Sequence, residues 1–269
     1  MNQSKRWIHA AAAALLLQAG AVSASEGAQP VLACLEANVP QQLRIQDIEL
    51  VASRADSPET TTVRGKVYVL REKSSTGASK VRATLRIATP EYLAGAAYLV
   101  RQSETPGQDG MYVFLPSVKR VRRISGEFSD GPLLGTNISY YDFKQMQHAV
   151  GDASAARERD DKLQDRPVYV MTYTPTGEAG TQYSLVRLWI DQKSCVPLQV
   201  EFMENGKLRK RLSGDAETLT RSGDHWYLSE TRLDDLKDQS STQIRVVTAA
   251  PDAELPDRLF NPKSFYLGN

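Results

Sequence analysis

The fold is decided by the stretch MYVFLPSVKRVRRISGEFSDGPLLGTNISYYDF, residues 111–143. It opens with the bulky residues 111–115, which predict a strand that ends at Pro116, because proline cannot donate to a β-ladder. A basic cluster follows, and a glycine-punctuated loop, residues 126–135, then leads to the aromatic run 140–143. Surface loops rarely hold so many apolar side chains, so we expect this loop to lie against the protein's own core or a ligand. The basic cluster comprises Lys119, Arg120, Arg122 and Arg123.

Alternating apolar and polar residues predict β-strands on both sides of this stretch. Residues 225–233 are predicted to form one strand, whereas the polar residues 54–62 predict a loop. The alternation is clear upstream in residues 63–71 and 80–88, and downstream in residues 168–174 and 198–203. The dipeptide Asn205-Gly206 after the last of these is a strong hairpin signal. The chain therefore reads as a succession of antiparallel strands with one apolar face.

The predicted fold is mainly β with few helices, an antiparallel sheet of about ten or eleven strands. A sheet of this length curls on itself, so we expect a barrel or half-barrel with its apolar face inside. Residues 126–150 break the strand pattern and are predicted to be helical from Tyr140 onward. We call residues 126–150 the lid, because their natural place is across the concave side of the sheet. The charged residues 153–166 are predicted to form a solvated helix or loop.

Composition bounds the class of protein. The chain has 269 residues, 41% of them hydrophobic, and a formal net charge of +1. This length suits one large or two small domains, and no shift in composition marks a second one. The neutral charge balance argues against nucleic acid as a partner, because such domains are usually basic.

The N-terminus has the pattern of a secretory signal. Lys5 and Arg6 form a charged region, residues 7–22 are rich in Ala and Leu, and a small-residue cleavage site ends at Ala24. An uncleaved anchor is the alternative, but a membrane span needs about 20 apolar residues. We therefore predict a signal peptide over residues 1–24, a mature domain over residues 25–269, and export to the periplasm.

Two cysteines, Cys34 and Cys195, remain in the mature chain. Export to an oxidising compartment predicts a disulfide between them, which would close a loop of roughly 160 residues and contribute about 4–5 kcal/mol. Residues 31–34, Val-Leu-Ala-Cys, also resemble a lipidation site, so acylation of Cys34 is the alternative. Polar residues between the signal and Cys34 favour the disulfide.

The sequence offers little for catalysis. Only His148 and His225 remain after the signal, and no Cys and His pair has the spacing of a zinc site. Nucleophile-elbow, phosphate-loop and dinucleotide motifs are absent from the sequence. We therefore predict a non-enzymatic protein with no metal and no cofactor. A secreted hydrolase is the less favoured alternative.

The surplus of apolar residues on one face, beside an apolar lid, indicates a binding site for an acyl chain. Ligand pockets of β-barrels lie at their mouths and are lined mainly by apolar and aromatic groups. The alternative is that the same residues pack the barrel shut.

Four blocks of the sequence resemble the outer-membrane lipoprotein-sorting, LolA-like family, in its larger exported branch. The main block is YVFLPSVKRVRRIS…LLGTNISYYDF, residues 112–143. Residues 34–38, 82–100 and 188–208 support it. The family often has Ser-Asp after the glycine where this chain has Thr136-Asn137, which removes the usual carboxylate there.

The resemblance implies an incomplete antiparallel barrel with a lid over an apolar cavity, in a monomeric carrier of lipid or lipoprotein acyl chains. It also implies an inner-membrane RND-type transporter or an outer-membrane acceptor as partner.

Carried over to this chain, Arg122 and Arg123 would hold the lid at its rim, and Asp142 would cap or pin its helix. The basic cluster is otherwise a solvated surface or a docking patch for an acidic partner, and a sensor or partner-binding module of the same fold is the competing function. The predicted cavity and lid residues are Leu85, Ile87, Tyr112, Phe114, Leu133, Leu134, Ile138, Tyr140, Tyr141, Phe143, Tyr169, Met171, Tyr173, Leu198, Val200 and Phe202.

Overall fold

The computed structural model of the protein describes most of the chain. The predicted signal, residues 1–24, lies outside the described residues, and so does the end of the lid, residues 148–150, with His148. The described residues are 27–73, 79–103, 109–147, 155–174, 183–251 and 254–267.

Within this part the chain forms two α-helices and sixteen strands. Helix α1 spans Ala28–Ala37 and helix α2 spans Tyr140–Gln147. None of the described helices has the length and apolar character needed to cross a bilayer. The strands are β1 Gln42–Arg54, β2 Ser57–Lys73, β3 Ser79–Thr89, β4 Ala97–Arg101, β5 Gly110–Leu115, β6 Arg120–Ile124, β7 Ala156–Arg157, β8 Asp161–Leu163, β9 Arg166–Tyr173, β10 Leu185–Asp191, β11 Pro197–Glu204, β12 Lys207–Gly214, β13 Leu219–Ser222, β14 His225–Leu228, β15 Glu230–Asp235 and β16 Ser240–Pro251.

Fourteen of these strands form one antiparallel sheet. Its order is β6-β5-β4-β3-β2-β1-β16-β15-β12-β11-β10-β9-β7, with β8 also paired to β9, while β13 and β14 form a separate hairpin. Strands β6 and β7 lie at the two ends, so the sheet forms an open, partial ring. The predicted half-open antiparallel barrel is confirmed.

The strand order explains why a lid exists. The chain starts at the centre of the sheet with β1, moves outward strand by strand to β6 at one edge, and reappears at the other edge in β7. From there it returns to the centre in β16, which pairs with β1 over residues 43–54. The segment between β6 and β7 connects opposite edges of an open ring. Its described part packs on the concave cluster through residues 133–143, and the lid is this crossing.

The concave face carries one apolar cluster that joins both halves of the sheet. Val67 and Leu85 from the first half lie in it together with Val186 and Phe202 from the second half. Alternation along each strand supplies these residues to one face, which is the physical basis of the predicted pattern. Helix α1 packs on the same cluster through one side, because its buried residues recur at helical spacing. These are Ala28, Val31 and Leu35.

The convex face of the first half carries a second apolar cluster, covered by the C-terminal segment. Leu99 of β4 lies in it with Leu259 and Phe260 of that segment. Phe114 of β5 stacks on Tyr266 with ring centroids 4.0 Å apart. Strand β5 is therefore apolar on both faces, and both faces are covered.

The structure differs from the predicted elements in three places. Residues 153–166, predicted as a helix or loop, include the short strands β7 and β8, which pair with the edge of β9. Residues 57–62, predicted as a loop, belong to β2, because backbone pairing with β1 overrides their polar composition. Residues 225–233, predicted as one strand, divide at Ser229 into β14 and β15. These splits raise the strand number above the ten or eleven predicted.

Cys34 and Cys195 form the predicted disulfide, which joins α1 to the turn after β10. The same turn is held by Asp191. Arg166 donates to its carboxylate through Nε at 2.7 Å and Nη2 at 2.9 Å, and Ser194 donates through its backbone N at 2.8 Å and its Oγ at 2.7 Å. This carboxylate shapes the loop that presents Cys195 to the helix.

We expect Asp191→Asn to destabilise the fold in a pH-dependent way. Burial alone would raise the pKa of Asp191, but the hydrogen bonds from Arg166 and Ser194 outweigh burial and lower the pKa. The ionised carboxylate therefore stabilises the folded chain above about pH 4, its unfolded-state pKa, and this contribution is lost as the pH falls through the lowered folded-state pKa. Urea unfolding should show a loss of about 1–3 kcal/mol at pH 7 that shrinks below pH 4. Asp224→Asn, in an exposed turn, is the control; an equal loss at pH 7 and pH 3 would contradict the assignment.

Candidate functional site

The lid helix starts at a reciprocal cap. Ser139 Oγ accepts from the backbone N of Asp142 at 2.9 Å, and Asp142 Oδ2 accepts from the backbone N of Ser139 at 2.8 Å. This is a capping box, in which a hydroxyl and a carboxylate three residues apart satisfy each other's backbone donors. The cap determines where α2 begins and how it leaves the preceding loop.

Asp142 also connects the lid to the sheet. Its side chain is fully buried, and the Lys210 side chain of β12 is 2% exposed. Lys210 Nζ lies 2.6 Å from Asp142 Oδ2, and Tyr183 Oη donates to Asp142 Oδ1 at 2.6 Å. Burial, followed by the nearby Asp142 carboxylate, raises the pKa of Tyr183, which keeps the phenol protonated as a donor. The carboxylate thus has a cation and a phenol from the sheet side, as a buried charge requires.

Lys210 belongs to a larger buried charge network on the second half of the sheet. Its Nζ donates to the Asn137 carbonyl at 2.9 Å and lies 3.5 Å from Asp235 Oδ2. Arg209, the neighbouring residue on β12, bonds Asp235 and Glu204. Burial opposes the charge of Arg209, but these two hydrogen bonds raise its pKa above the usual value. The network keeps Arg209 charged.

Asn137 is a second attachment of the lid loop. Its Nδ2 donates to the carbonyls of Leu233 at 3.1 Å and Ser240 at 3.0 Å, and its backbone N donates to Thr242 Oγ1 at 3.3 Å. An amide can donate both side-chain bonds, whereas a carboxylate at this position could donate neither. The departure from the family pattern at residue 137 therefore has a structural use here.

The other side of the lid is attached to the first half of the sheet. Lys144 Nζ lies 2.8 Å from Asp109 Oδ2, and both side chains are largely buried. Asp109 belongs to the connection that leads into β5. Tyr98 Oη of β4 donates to the Tyr140 carbonyl at 3.0 Å. Together with Asp142 and Lys210, these contacts make α2 a brace between the two halves of the open ring.

The underside of the lid is apolar. Leu133, Ile138, Tyr141 and Phe143 are buried in the concave cluster. The Phe143 ring meets the Tyr98 ring edge to face, at 5.3 Å between centroids. The lid is thus attached by a few polar contacts and packs with apolar side chains on the concave face. This combination suits a cover that closes over an apolar ligand.

The structure places most of the predicted cavity and lid residues together. They belong to the concave cluster or pack against it, and Leu198 is buried on the same face of β11 as Val200. The predicted residues that belong to this cluster or pack against it are Leu85, Ile87, Leu133, Leu134, Ile138, Tyr140, Tyr141, Phe143, Tyr169, Met171, Tyr173, Val200 and Phe202.

Four predicted residues lie elsewhere. Tyr112 and Phe114 pack into the convex cluster under the C-terminal segment, so they do not line the concave face. Arg122 and Arg123 are exposed on the edge strand β6, and Arg123 Nη2 donates to the Asp109 carbonyl at 3.4 Å. Lid contacts to the sheet run through Asn137, Asp142 and Lys144 instead. The two faces of β5 are both apolar, so alternation could not tell which one faces the lid.

The partners of Asp142 were not predicted from the sequence. The residues around Tyr183 in the sequence do not mark it as a buried partner, but the position of Lys210 in its strand does. Alternation in β12 puts Lys210 on the same face as Leu212, which packs against the concave cluster, so a lysine occupies the apolar side of a strand. Because buried lysines are almost always paired with an acidic group, Lys210 predicts a carboxylate on the element that covers it.

No candidate metal centre is found among the described residues. His225 lies on β14, and its Nδ1 is buried without a hydrogen-bond partner among them. Groups of three or more His, Cys, Asp or Glu side chains placed to hold a metal are absent from this part of the chain. A cleft of about 750 Å³ lies on the face opposite the lid, where Asp165, Glu230 and Arg232 line it. Its polar lining does not suit an acyl chain.

We expect Lys210→Met to be strongly destabilising, because it leaves the Asp142 carboxylate buried without its cation. The loss should be about 3–5 kcal/mol in urea unfolding. Amides of residues 140–147 should also exchange faster with deuterium. The double variant Asp142→Asn, Lys210→Met should recover part of the loss, because it removes both charges.

Arg232→Met is the matched control for this cycle, since its pair with Asp234 is partly exposed. It should change stability by about 1 kcal/mol or less. If Lys210→Met behaved like this control, the buried pair would not hold the lid.

Comparison with known proteins agrees with the geometry. A family model described as an uncharacterized protein matches residues 79–266, more than half of the chain. No curated protein matches the sequence.

Three solved structures share the fold at low sequence identity. A DUF1329 family protein from Desulfovibrio piger has a TM-score of 0.77 at 20% identity, covering 86% of this chain and 95% of its own. An outer membrane lipoprotein-sorting protein domain from Vibrio parahaemolyticus has a TM-score of 0.73 at 22% identity, covering 89% and 96%. A LolA superfamily protein from Nitrosomonas europaea has a TM-score of 0.67 at 20% identity, covering 87% and 97%. The resemblance seen in the sequence is thereby confirmed: the chain belongs to the family whose model matches residues 79–266, and it has the LolA-like, outer-membrane lipoprotein-sorting fold.

Proposed function

We propose that the protein is a periplasmic carrier that holds the acyl chains of a lipid or lipoprotein between the concave face and the lid. The observation that carries the proposal is the apolar underside of the lid, with Leu133, Ile138 and Phe143 seated on an apolar concave face. An acyl chain placed between these surfaces gains about 0.8 kcal/mol for each CH₂ removed from water. Such binding needs few polar groups and no catalytic residues.

The construction of the lid supports reversible opening. Apart from the bridge between Pro132 and Ser139 within the lid itself, the lid makes no β-ladder pairing with the sheet among the described residues. Its displacement therefore leaves every strand of the ring paired. The polar attachments at Asn137, Asp142 and Lys144 would break, and water would replace their partners. When the lid opens, water hydrates both ions of each broken pair, so neither charge stays buried without a partner. The neutral hydrogen bonds of Asn137 contribute about 0.5–1.5 kcal/mol each.

Export supports the same proposal. The Cys34–Cys195 disulfide fits an oxidising compartment such as the periplasm. The Vibrio structure is named for outer membrane lipoprotein sorting, and we extend that activity to this chain as part of the proposal. An RND-type transporter as donor, or an outer-membrane acceptor, stays a prediction about partners. So does the monomeric state.

We expect protein purified from the periplasm without detergent to carry lipid. Native mass spectrometry should show an adduct of lipid mass, and organic extraction should identify its acyl chains. Ile138→Asn, which places an amide under the lid, should lower the lipid-bound fraction severalfold. Val247→Asn, a change of an exposed apolar residue, is the control. A protein without any lipid adduct, whose concave face also fails to bind a fluorescent fatty acid, would rule out the carrier function.

We expect Asn137→Ala to speed the release of a bound fluorescent fatty acid to acceptor vesicles. It removes two side-chain bonds from the lid, and at about 0.5–1.5 kcal/mol each the release rate should rise roughly 5- to 100-fold.

Asn38→Ala is the matched control, because Asn38 also makes two side-chain bonds, both to the Trp226 backbone, and lies outside the lid. It should lower stability and leave the release rate near wild type. Equal acceleration by both variants would mean that release follows global stability and not lid opening.

A further inference from the structure

Two neighbouring connections form one tip of the first half of the sheet. The connection from β3 to β4, residues 90–96, and the turn from β5 to β6, residues 116–119, lie at the same end of this antiparallel meander. They touch each other, because a Cβ added at Gly95 would stand 3.6 Å from Pro116 Cγ. The tip is thus a contiguous surface made by two turns.

This tip exposes large apolar side chains. Tyr92 is 71% exposed and Val118 is 42% exposed, whereas most apolar residues of comparable size in the described chain are covered. The backbone of both turns is internally bonded, with Leu93 N donating to the Pro90 carbonyl and Lys119 N to the Leu115 carbonyl. The two side chains are therefore presented by ordered turns.

Cations flank these apolar side chains. Lys119 and Arg120 follow Val118 directly, and Arg122 shares the face of β6 that carries Arg120. All three are exposed and form no ion pair within the described part of the chain. Glu91 is the single acidic residue in the two connections, so the surface is net positive. We call Tyr92, Val118, Lys119, Arg120 and Arg122 the tip patch.

We propose that the tip patch docks the protein on an anionic membrane surface, with the cations on lipid phosphates and Tyr92 and Val118 in the headgroup region. Aromatic and aliphatic side chains ringed by Lys and Arg are the combination that such interfaces bind. The apolar residues project from turns and form no groove, which a peptide or helix partner would need. This inference deepens the proposed carrier function, because a carrier of acyl chains has to meet the membrane that supplies or receives them.

Vesicle cosedimentation of the full exported chain tests the proposal. The vesicles contain phosphatidylcholine alone or with 30% phosphatidylglycerol, each at low and high salt. We expect binding to the anionic vesicles, weakened by salt. Lys119→Gln, Arg120→Gln, Arg122→Gln together should reduce binding roughly a hundredfold, from the loss of three cations near the surface. Tyr92→Ser with Val118→Ser should also reduce it.

Two control variants match these changes. Arg159→Gln, Lys193→Gln, Lys207→Gln removes three exposed cations outside the tip patch. Leu236→Ser with Val247→Ser removes two apolar side chains that are 50% and 61% exposed but lie outside both the tip patch and the lid. Both should bind anionic vesicles as wild type does.

The proposal is overturned if anionic vesicles bind no better than neutral ones, or if the controls lose as much binding as the tip variants. It is also overturned if the tip variants keep vesicle binding and lose only crosslinking to an acidic protein, which would assign the patch to that partner. Lipid occupancy is measured on the same samples by native mass spectrometry. If the protein carries lipid but does not bind vesicles, only the docking proposal is contradicted. If it binds vesicles but carries no lipid, only the carrier proposal is contradicted.

Discussion

The buried ion pair of Asp142 and Lys210 is the contact on which the arrangement of the lid depends. A carboxylate without exposure to water is stable only with a cation and donors around it, and Lys210, Tyr183 and the Ser139 backbone supply them. The same carboxylate caps α2. One side chain therefore sets the start of the lid helix and its position on the sheet, so helix formation and lid closure are coupled.

The topology of the sheet makes such a contact necessary. The chain leaves the ring at one edge, β6, and re-enters at the other edge, β7, and the described part of the crossing joins the ladder of neither edge. Its stability has to come from side chains, which are polar at its attachment points and apolar on its underside. A crossing held in this way can leave the sheet intact when it opens. The geometry that closes the ring is thus also compatible with the proposed opening of the lid.

The sequence predicted the sheet because alternation is a local property. A strand such as β11 shows its buried face in the order of its own residues, Leu198, Val200 and Phe202, whatever lies beside it. Alternation does not say which face is interior when both are apolar. Tyr112 and Phe114 were therefore assigned to the concave side, and the covering C-terminal segment, about 150 residues away in the chain, places them on the other. Residues 57–62 of β2 were likewise predicted to form a loop from their polar composition, but backbone pairing with β1 makes them part of a strand.

The sequence by itself determined the mainly β fold, the strands, the crossing lid with its apolar residues, and the two cysteines available for a disulfide. It also carried the resemblance that the family match confirmed. Tertiary structure decided which side chains hold the lid. Asp142 and Lys210 are 68 residues apart, and Asn137 meets carbonyls 96 and 103 residues away. Contacts at such separations depend on the strand order of the whole ring, which no local pattern of residues encodes.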